Sequence, residues 1–285
     1  MESRNFILKG SASEYYWKGP GLCSIKTFSG GPAFYNIGNG SFRVDDNSFL
    51  VLNDGTDYSI EISGRQVVHS YCLFFDRGLL AEAAIGLARS PEYQLDNSGY
   101  YGNADPTAFF ERTYRLPELG SAITDLRLQH SFWAGDSMWL DQKFFGILGQ
   151  LSQLDSLNAR ARDRLVAARS TTRAELYRRI LLAREFIHAN PDRVLGLREI
   201  ASTAHLSVNH LLRCFTAAFG MPPHAYSTLV KLDHAKRLLA DPDRSVTEIM
   251  TELGFSSIGS FSLLFKRHCG HSPENYRKLK FGEIR

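Results

Sequence analysis

Two stretches of the chain repeat one another at an offset of 50 residues, and this repeat constrains the fold more than any other feature. Residues 207–226 read SVNHLLRCFTAAFGMPPHAY, and residues 257–276 read SIGSFSLLFKRHCGHSPENY. Five identical residues hold the same positions in both stretches: Ser207/Ser257, Phe215/Phe265, Gly220/Gly270, Pro223/Pro273 and Tyr226/Tyr276. A repeated pattern predicts a repeated structural unit. Each unit is predicted to hold a helix that begins at a capping serine and ends at glycine.

Each unit is predicted to contain two short helices. The first helices cover 197–204 and 246–253, and tight turns at 205–206 and 254–255 join them to the second helices. The second helices each carry two apolar residues four apart: Leu211 and Phe215, then Phe261 and Phe265. Because such pairs lie on one face, they pack on the preceding helix and leave the opposite face outward. This is the helix-turn-helix arrangement, whose second helix enters the major groove of DNA.

The outward faces of the second helices carry side chains suited to DNA. We expect Arg213 to pair with guanine through two hydrogen bonds and Asn209 to read adenine. Hydroxyl and basic side chains near the helix N-termini suit phosphates. The DNA-binding residues predicted in this way are Ser207, Asn209, Leu212, Arg213, Thr216, Ser257, Gly259, Ser260, Leu263, Lys266 and Arg267. The alternative for each is an ordinary solvated surface residue.

A helix at 224–240 is predicted to join the two units. At about 1.5 Å per residue it spans about 25 Å, whereas successive major grooves recur every ~34 Å.

The charge distribution along the chain agrees with DNA as the partner. The alternative explanation is chance drift in surface charge. Residues 1–150 carry 12 basic and 17 acidic residues, and residues 151–285 carry 21 and 13. A basic half joined to a neutral-to-acidic half is typical of a polyanion binder attached to a sensor.

The first 105 residues have the pattern of an all-β domain. Apolar and polar residues alternate in DYSIEIS (57–63), and VVHSYCLFF (67–75) is apolar at both sets of alternate positions, as in a buried strand or a barrel wall. Turn formers recur at short intervals, at 30–32, 39–40, 53–55 and 63–64. Together these patterns predict a sandwich or a small barrel.

Helical patterns follow the β region. Residues 80–90 are predicted to be helical and 91–106 to form a loop, before two further helices at about 117–130 and 137–157. The last helix carries an apolar stripe: Leu140, Phe144, Leu148, Leu151 and Leu154. Packing on the β domain and a dimer seam both explain this stripe. Residues 158–170 are charged and form the predicted linker between a domain at 1–157 and a helical domain at 171–285.

Several classes of protein are disfavoured. No apolar run approaches the ~18 residues of a membrane span, and the N-terminus lacks a secretory signal, so we expect a cytoplasmic, nucleoid-associated protein. Four scattered cysteines, predicted to be buried free thiols, form no metal-binding pair: Cys23, Cys72, Cys214 and Cys269. With only His69 and His130 in the first half, no metal or other cofactor is expected. Five aromatic residues of this half could line a pocket, although aromatic residues in such positions more often belong to a core: Tyr35, Phe42, Tyr58, Tyr71 and Phe74.

The C-terminal third resembles the DNA-binding domain of the AraC/XylS family of transcription regulators. The resemblance rests on IMTELGF (249–255), followed by SxxSFSxxFKRxxGxSPxxYR from residue 257, and it covers about 178–280. It implies seven helices, with base-reading positions at Asn209, Leu212, Arg213, Ile258, Gly259 and Leu263. The family often has arginine where this chain has Leu263, so we expect the second unit to contribute phosphate and thymine-methyl contacts. Met250, where a small residue is usual, is expected to be buried.

The N-terminal half resembles, over a shorter pattern, the cupin-like sensor domain of many such regulators. The stretches VDDNSFLVLNDGTDYSIEI (44–62) and HSYCLFF (69–75) carry this resemblance. The expected architecture is therefore a two-domain α+β chain, with a cupin-like β-barrel and trailing helices before an all-α double helix-turn-helix domain.

The resemblance implies a sequence-specific transcription regulator controlled by a small-molecule effector, and no enzyme. Its expected partners are double-stranded DNA, an effector, a second copy bound through about 117–157, and RNA polymerase, with no membrane. One alternative is constitutive DNA binding with a β domain that only dimerises. A second is an enzyme localised by its DNA-binding part, which would need a cysteine cluster around a metal.

Overall fold

The structure is a computed structural model, and its described residues are 5–38, 40–88, 109, 111–115, 119, 122–133, 135–166 and 170–281. The chain divides after Asp163 into two compact units. The loop predicted at 91–106 lies outside the described residues. In the described ranges, no helix is both long enough and apolar enough to cross a bilayer.

The N-terminal unit is built on one antiparallel sheet. Its strands are β1 Phe6–Pro20, β2 Ser24–Ser29, β3 Ala33–Ile37, β4 Gly40–Val44, β5 Ser48–Leu52, β6 Asp57–Phe74 and β7 Thr113–Arg115. The strand order is β4-β3-β6-β2-β5-β7, and β1 pairs with β6. Because β4 also lies against β5 and β7, the sheet curls into a nearly closed barrel, which confirms the predicted architecture.

The long strand β6 organises this barrel. Along one edge it pairs with β1 over almost its whole length. Along the other edge, its first half pairs with β3 and its second half pairs with β2. Between β2 and β3 the chain turns at Gly30, which has φ +83°, and an added Cβ there would lie 2.7 Å from the carbonyl oxygen of Val67. Only glycine fits this turn without strain.

The described part of the N-terminal unit also contains three helices: α1 Arg77–Ala88, α2 Ala122–Gln129 and α3 Ser137–Asp163. Phe144, Leu148 and Leu151 of α3 are fully buried against the sheet, α1 and α2. The apolar stripe therefore packs on the β domain, and a dimer seam stays a prediction. Helix α3 also runs through the first residues of the predicted linker, where Asn158 is buried and donates to the Tyr114 hydroxyl at 3.1 Å.

The opposite face of the sheet points into the barrel and is rich in aromatic rings. The rings of Tyr35 and Tyr58 lie 5.4 Å apart. All five aromatic residues offered for a pocket or a core are buried, although Tyr71 lies on the helix-covered face instead. One cation lies among these rings. The Lys26 ammonium is 3.9 Å from the ring centre of Phe74 and 5.4 Å from that of Tyr58. Burial lowers the pKa of Lys26 to about 8, although the nearby thiols of Cys72 and Cys23 oppose this shift.

The described part of the C-terminal unit contains seven helices, the number that the family resemblance implies. They are α4 Ser170–Ala189, α5 Leu197–Thr203, α6 Val208–Phe219, α7 Pro223–Leu238, α8 Val246–Glu252, α9 Ile258–Cys269 and α10 Pro273–Phe281. The joining helix α7 begins with Pro223 in its first turn, a position where the missing N–H of proline costs nothing. It packs against α4, α6, α8 and α9, so it is the centre of this unit.

Candidate nucleic-acid interface

The second helix of each pair begins and ends as the repeat predicts. The Ser207 hydroxyl accepts a hydrogen bond from the His210 N–H at 3.3 Å, and the Ser257 hydroxyl accepts one from the Ser260 N–H at 3.4 Å. Both helices end at a left-handed glycine, Gly220 or Gly270. Serine satisfies an otherwise unpaired N–H, and glycine adopts positive φ without a Cβ penalty. The repeated serines and glycines thus fix the ends of α6 and α9.

The turns that precede these helices share one geometry but differ in length. His205 (φ 52°) and Gly254 (φ 71°) occupy the left-handed position after α5 and α8. The next residue then donates back to the helix: the Leu206 N–H to Ala201 O at 2.9 Å, and the Phe255 N–H to Met250 O at 3.1 Å. This is a Schellman ending in both cases. The second turn also contains Ser256, a residue with no counterpart in the first.

The buried faces of α6 and α9 also repeat. The Phe215 ring meets the Tyr226 ring edge-on at 5.4 Å, and Phe265 meets Tyr276 edge-on at 5.5 Å. Edge-to-face pairs at this separation add stability beyond the burial of area. The tyrosine that closes each repeat therefore fastens the second helix to the helix that follows it. Met250 is buried as predicted.

Two anchors of the joining helix α7 were not found from the sequence. Near its start, the Tyr226 hydroxyl accepts from Arg184 Nε at 3.0 Å and lies 2.9 Å from His188 Nε2. Further along, the Lys231 ammonium donates to the Leu253 carbonyl at 2.6 Å, at the end of α8. The only sequence signal for the second anchor is a lysine within an otherwise apolar face. These bonds tie α7 to α4 at one point and to the second motif at another.

The predicted DNA-binding side chains are solvent-facing with one exception. Leu212 is half-buried, and the other eleven are exposed: Ser207, Asn209, Arg213, Thr216, Ser257, Ile258, Gly259, Ser260, Leu263, Lys266 and Arg267. Ile258 and Leu263 are 46% and 53% exposed, unusual values for large aliphatic residues on a helix that buries two phenylalanines. The two second helices therefore present polar, basic and aliphatic side chains to solvent.

This surface carries positive charge that the described carboxylates do not neutralise. Arg213, Lys266 and Arg267 form no ion pair within the described ranges, although Arg213 bonds the thiol of Cys214. The basic residue His268 does pair, since its Nε2 lies 2.9 Å from an Asp233 carboxylate oxygen. Unpaired cations on the outward side of a helix whose N-terminus is also electropositive can attract a polyanion.

Comparison with known proteins assigns this unit. Residues 200–279 match the protein family described as "Helix-turn-helix domain". The chain is similar to the melibiose operon regulatory protein of Escherichia coli, with 32% identity over 94 residues, which are 33% of this chain and 31% of that protein. It is similar to the Msm operon regulatory protein of Streptococcus mutans, with 30% identity over 95 residues, 33% of this chain and 34% of that protein. The match thus spans about a third of each relative.

Two solved structures are also similar to the chain. A transcriptional regulator with an AraC-type DNA-binding domain from Chromobacterium violaceum has 26% identity and a TM-score of 0.35, over 39% of this chain and 96% of that one. ToxT from Vibrio cholerae has 12% identity and a TM-score of 0.38, over 98% of both chains. Residues 200–279 of the C-terminal unit are therefore a helix-turn-helix domain, and the two relatives that match there are regulatory proteins of operons.

Proposed function

We propose that this protein is a sequence-specific DNA-binding transcription regulator, and that a small molecule bound by the N-terminal unit controls it. The observation that carries the proposal is the pair of helix-turn-helix motifs with exposed, unpaired basic side chains on their second helices. One motif alone would suit weak binding. Two motifs joined by one anchored helix suit two contacts on the same duplex.

The two second helices are assigned different tasks. In the first, Arg213 and Asn209 read base edges, because guanidinium and amide groups pair in bidentate fashion with guanine and adenine. In the second, Ile258 and Leu263 have no hydrogen-bonding group and contact thymine methyls. Lys266 contributes phosphate contacts, which position the protein without reading sequence. Sequence discrimination then comes mainly from the first motif.

Selection of bound duplexes from a random pool, followed by titration of the selected site, tests this assignment. Arg213→Ala should weaken binding by ~1–3 kcal/mol and relax the preference at one base pair, whereas Lys266→Ala should weaken binding to all sequences alike. Arg178→Ala is the matched control, because Arg178 is an exposed arginine on α4, outside both motifs. Unchanged affinity and base preference in Arg213→Ala would contradict the role given to Arg213.

Effector control rests on the two-unit architecture, in which a β-barrel precedes the DNA-binding unit. The alternative is constitutive DNA binding, with a barrel that only dimerises. A thermal-shift screen separates the two, since a ligand that binds the native state raises apparent stability by mass action. The effector proposal requires a ligand that both raises the midpoint and changes operator affinity. Operator affinity that no stabilising ligand alters favours the constitutive alternative.

A homodimer through the trailing helices belongs to the same proposal. Large apolar side chains are exposed at and beside the turn between α2 and α3: Leu128, Phe132, Trp133 and Met138. Exposed apolar clusters of this kind often mark protein interfaces. Light scattering of the wild type and of Phe132→Ser tests the interface, and a wild type that is monomeric at all concentrations contradicts it. Contact with RNA polymerase and a place beside the nucleoid follow from a DNA partner and remain predictions.

A further inference from the structure

A groove of about 430 Å³ lies between the outer face of the N-terminal sheet and helix α2. The strand register builds its floor. Lys9 of β1 and Thr27 of β2 flank Tyr71 of β6 in one row, and Ser11 and Ser29 flank His69 in the next. These side chains share the helix-covered face of the sheet, because residues two apart on a strand point the same way. Arg127 of α2 closes the groove from above.

Two cations converge on one aromatic ring in this groove. The Lys9 ammonium lies 5.5 Å from the ring centre of Tyr71, and the Arg127 guanidinium carbon lies 5.0 Å from the same centre. No acidic residue is among the described residues that line the groove, and neither cation has an ion pair in the described parts of the chain. Because both cations lie beside one ring and like charges repel, the arrangement favours an anion between them.

The Arg127 guanidinium is already oriented. One of its NH2 groups donates to the Thr27 hydroxyl at 3.0 Å, and the remaining N–H groups of its planar fork are available for a bidentate partner. The charge of Lys9 also affects the pKa of a neighbouring histidine. The pKa of His130 is lowered, first by burial and then by the charge of Lys9.

Tyr71 supplies a third, independent observation. Its side chain is 5% exposed, and its hydroxyl has no hydrogen-bond partner within the described residues. Burial raises the pKa of Tyr71 to about 12, so the hydroxyl keeps its proton at neutral pH and can donate it. A buried hydroxyl without a partner is uncommon, because such a group loses its hydrogen bonds to water on folding.

We propose that this groove binds a small organic oxyanion, whose carboxylate or phosphate group lies between Lys9 and Arg127 and accepts a hydrogen bond from the Tyr71 hydroxyl. Such a ligand would join β1 and β6 to α2, and α2 packs on α3. Its binding therefore couples the sheet to the helical layer of the N-terminal unit. The proposal rests on the proposed function only for its consequence, which is that the oxyanion acts as the effector.

Tryptophan fluorescence offers a direct assay, because all three tryptophans lie in the N-terminal unit: Trp17, Trp133 and Trp139. The full chain is unfolded thermally in acetate, in inorganic phosphate and in sodium chloride of equal ionic strength. The acetate and phosphate arms distinguish a carboxylate ligand from a phosphate ligand. We expect one of them to raise the midpoint above the chloride control, and the dissociation constant follows from a titration.

Substitutions then locate the binding. Lys9→Met and Arg127→Gln should each weaken the affinity about tenfold, since a hydrogen bond to a charged group contributes roughly 1.5 kcal/mol or more. Lys18→Met is the matched control, because Lys18 is an exposed lysine on the same strand. Tyr71→Phe should weaken binding several-fold. It should not lower the unfolding midpoint of the ligand-free protein, whereas loss of a hydroxyl with a structural role would lower it.

Three outcomes overturn the proposal. The first is a midpoint that acetate and phosphate raise no more than chloride does. The second is wild-type affinity in both Lys9→Met and Arg127→Gln. The third is binding that disappears in Lys26→Met instead, since Lys26 lies on the opposite face of β2 and would place the anion inside the barrel. Operator binding without anion is measured on the same variants. Wild-type protein that binds the anion but binds no operator, with or without the anion, would contradict the proposed function and leave the oxyanion site intact.

Discussion

The buried lysine of the barrel allows a prediction in which removing a charge stabilises the protein. Lys26 is 3% exposed, and the contacts described for it are with aromatic rings. Burial lowers its pKa from 10.5 to about 8. Each pKa unit corresponds to about 1.36 kcal/mol, so keeping this ammonium protonated in the folded state costs about 3 kcal/mol near pH 7. Removing the lysine also removes its cation–π contacts with the rings, which reduces the expected stabilisation by about 1 kcal/mol.

Lys26→Met should therefore raise the free energy of unfolding by about 2 kcal/mol at pH 7, which corresponds to a midpoint about 4–8 °C higher for a unit of this size. The sign of the pH dependence follows from linkage. Because the folded-state pKa is the lower one, the penalty is complete below about pH 8 and disappears as the pH rises to 10.5. The advantage of Lys26→Met over wild type should shrink across that interval.

Urea unfolding monitored by tryptophan fluorescence measures this advantage at pH 7, 8, 9 and 10. Lys18→Met serves as the control, since an exposed lysine has no burial penalty and its removal should change little at any pH. A Lys26→Met protein that is less stable than wild type at pH 7 would refute the reasoning. So would an advantage that stays constant up to pH 10, because then the charge of Lys26 is not the cause.

Three further predictions concern the DNA-binding unit. At the left-handed turn positions, His205→Gly should stabilise the protein by about 0.5–1 kcal/mol. Gly254→Ala should destabilise it by about 1–3 kcal/mol, because the added Cβ would lie 2.8 Å from Val194 Cγ2. Urea unfolding followed by circular dichroism measures both changes, and two equal changes in the free energy of unfolding would contradict the shared geometry. Lys231→Met should lower stability by about 1 kcal/mol by leaving the Leu253 carbonyl without its donor, and should loosen the second motif, seen as faster amide exchange in α8. Leu263→Arg should steepen the slope of log affinity against log salt by about one unit, because it adds a positive charge at the proposed interface, and an unchanged slope would mean that this position does not reach the DNA.

The C-terminal unit was predictable because its signals are local. Ser207 and Gly220 fix helix ends through bonds to neighbouring residues, and the 50-residue offset repeats the same rules at Ser257 and Gly270. The features of this unit that the sequence did not predict depend on tertiary structure. The bond from Lys231 to Leu253 joins residues 22 apart on different helices, and a left-handed conformation at His205 is uncommon for a residue with a Cβ.

The N-terminal unit was less accessible for a related reason. Alternation and turn residues predicted a barrel, but the floor of the groove depends on which strand lies beside which. Lys9, Tyr71 and Thr27 become neighbours only through the pairing of β1 and β2 with opposite edges of β6, and Arg127 joins them from a helix. The length of α3 was also underestimated, because the buried contact of Asn158 with Tyr114 holds a segment whose composition suggests a linker.

The double anchoring of α7 has a consequence for the DNA partner. Tyr226 bonds this helix to α4 and Lys231 bonds it to the end of α8. Its sixteen residues therefore form a rigid connection about 24 Å long. Two second helices held no farther apart than this length would be closer than the ~34 Å repeat of a straight duplex. A duplex bound by both, as the proposed function requires, would then have to curve towards the protein, at an elastic cost of ~1–6 kcal/mol that varies with the bases between the two grooves. Preferred operators would then be recognised partly by their pliability, at base pairs that no side chain touches.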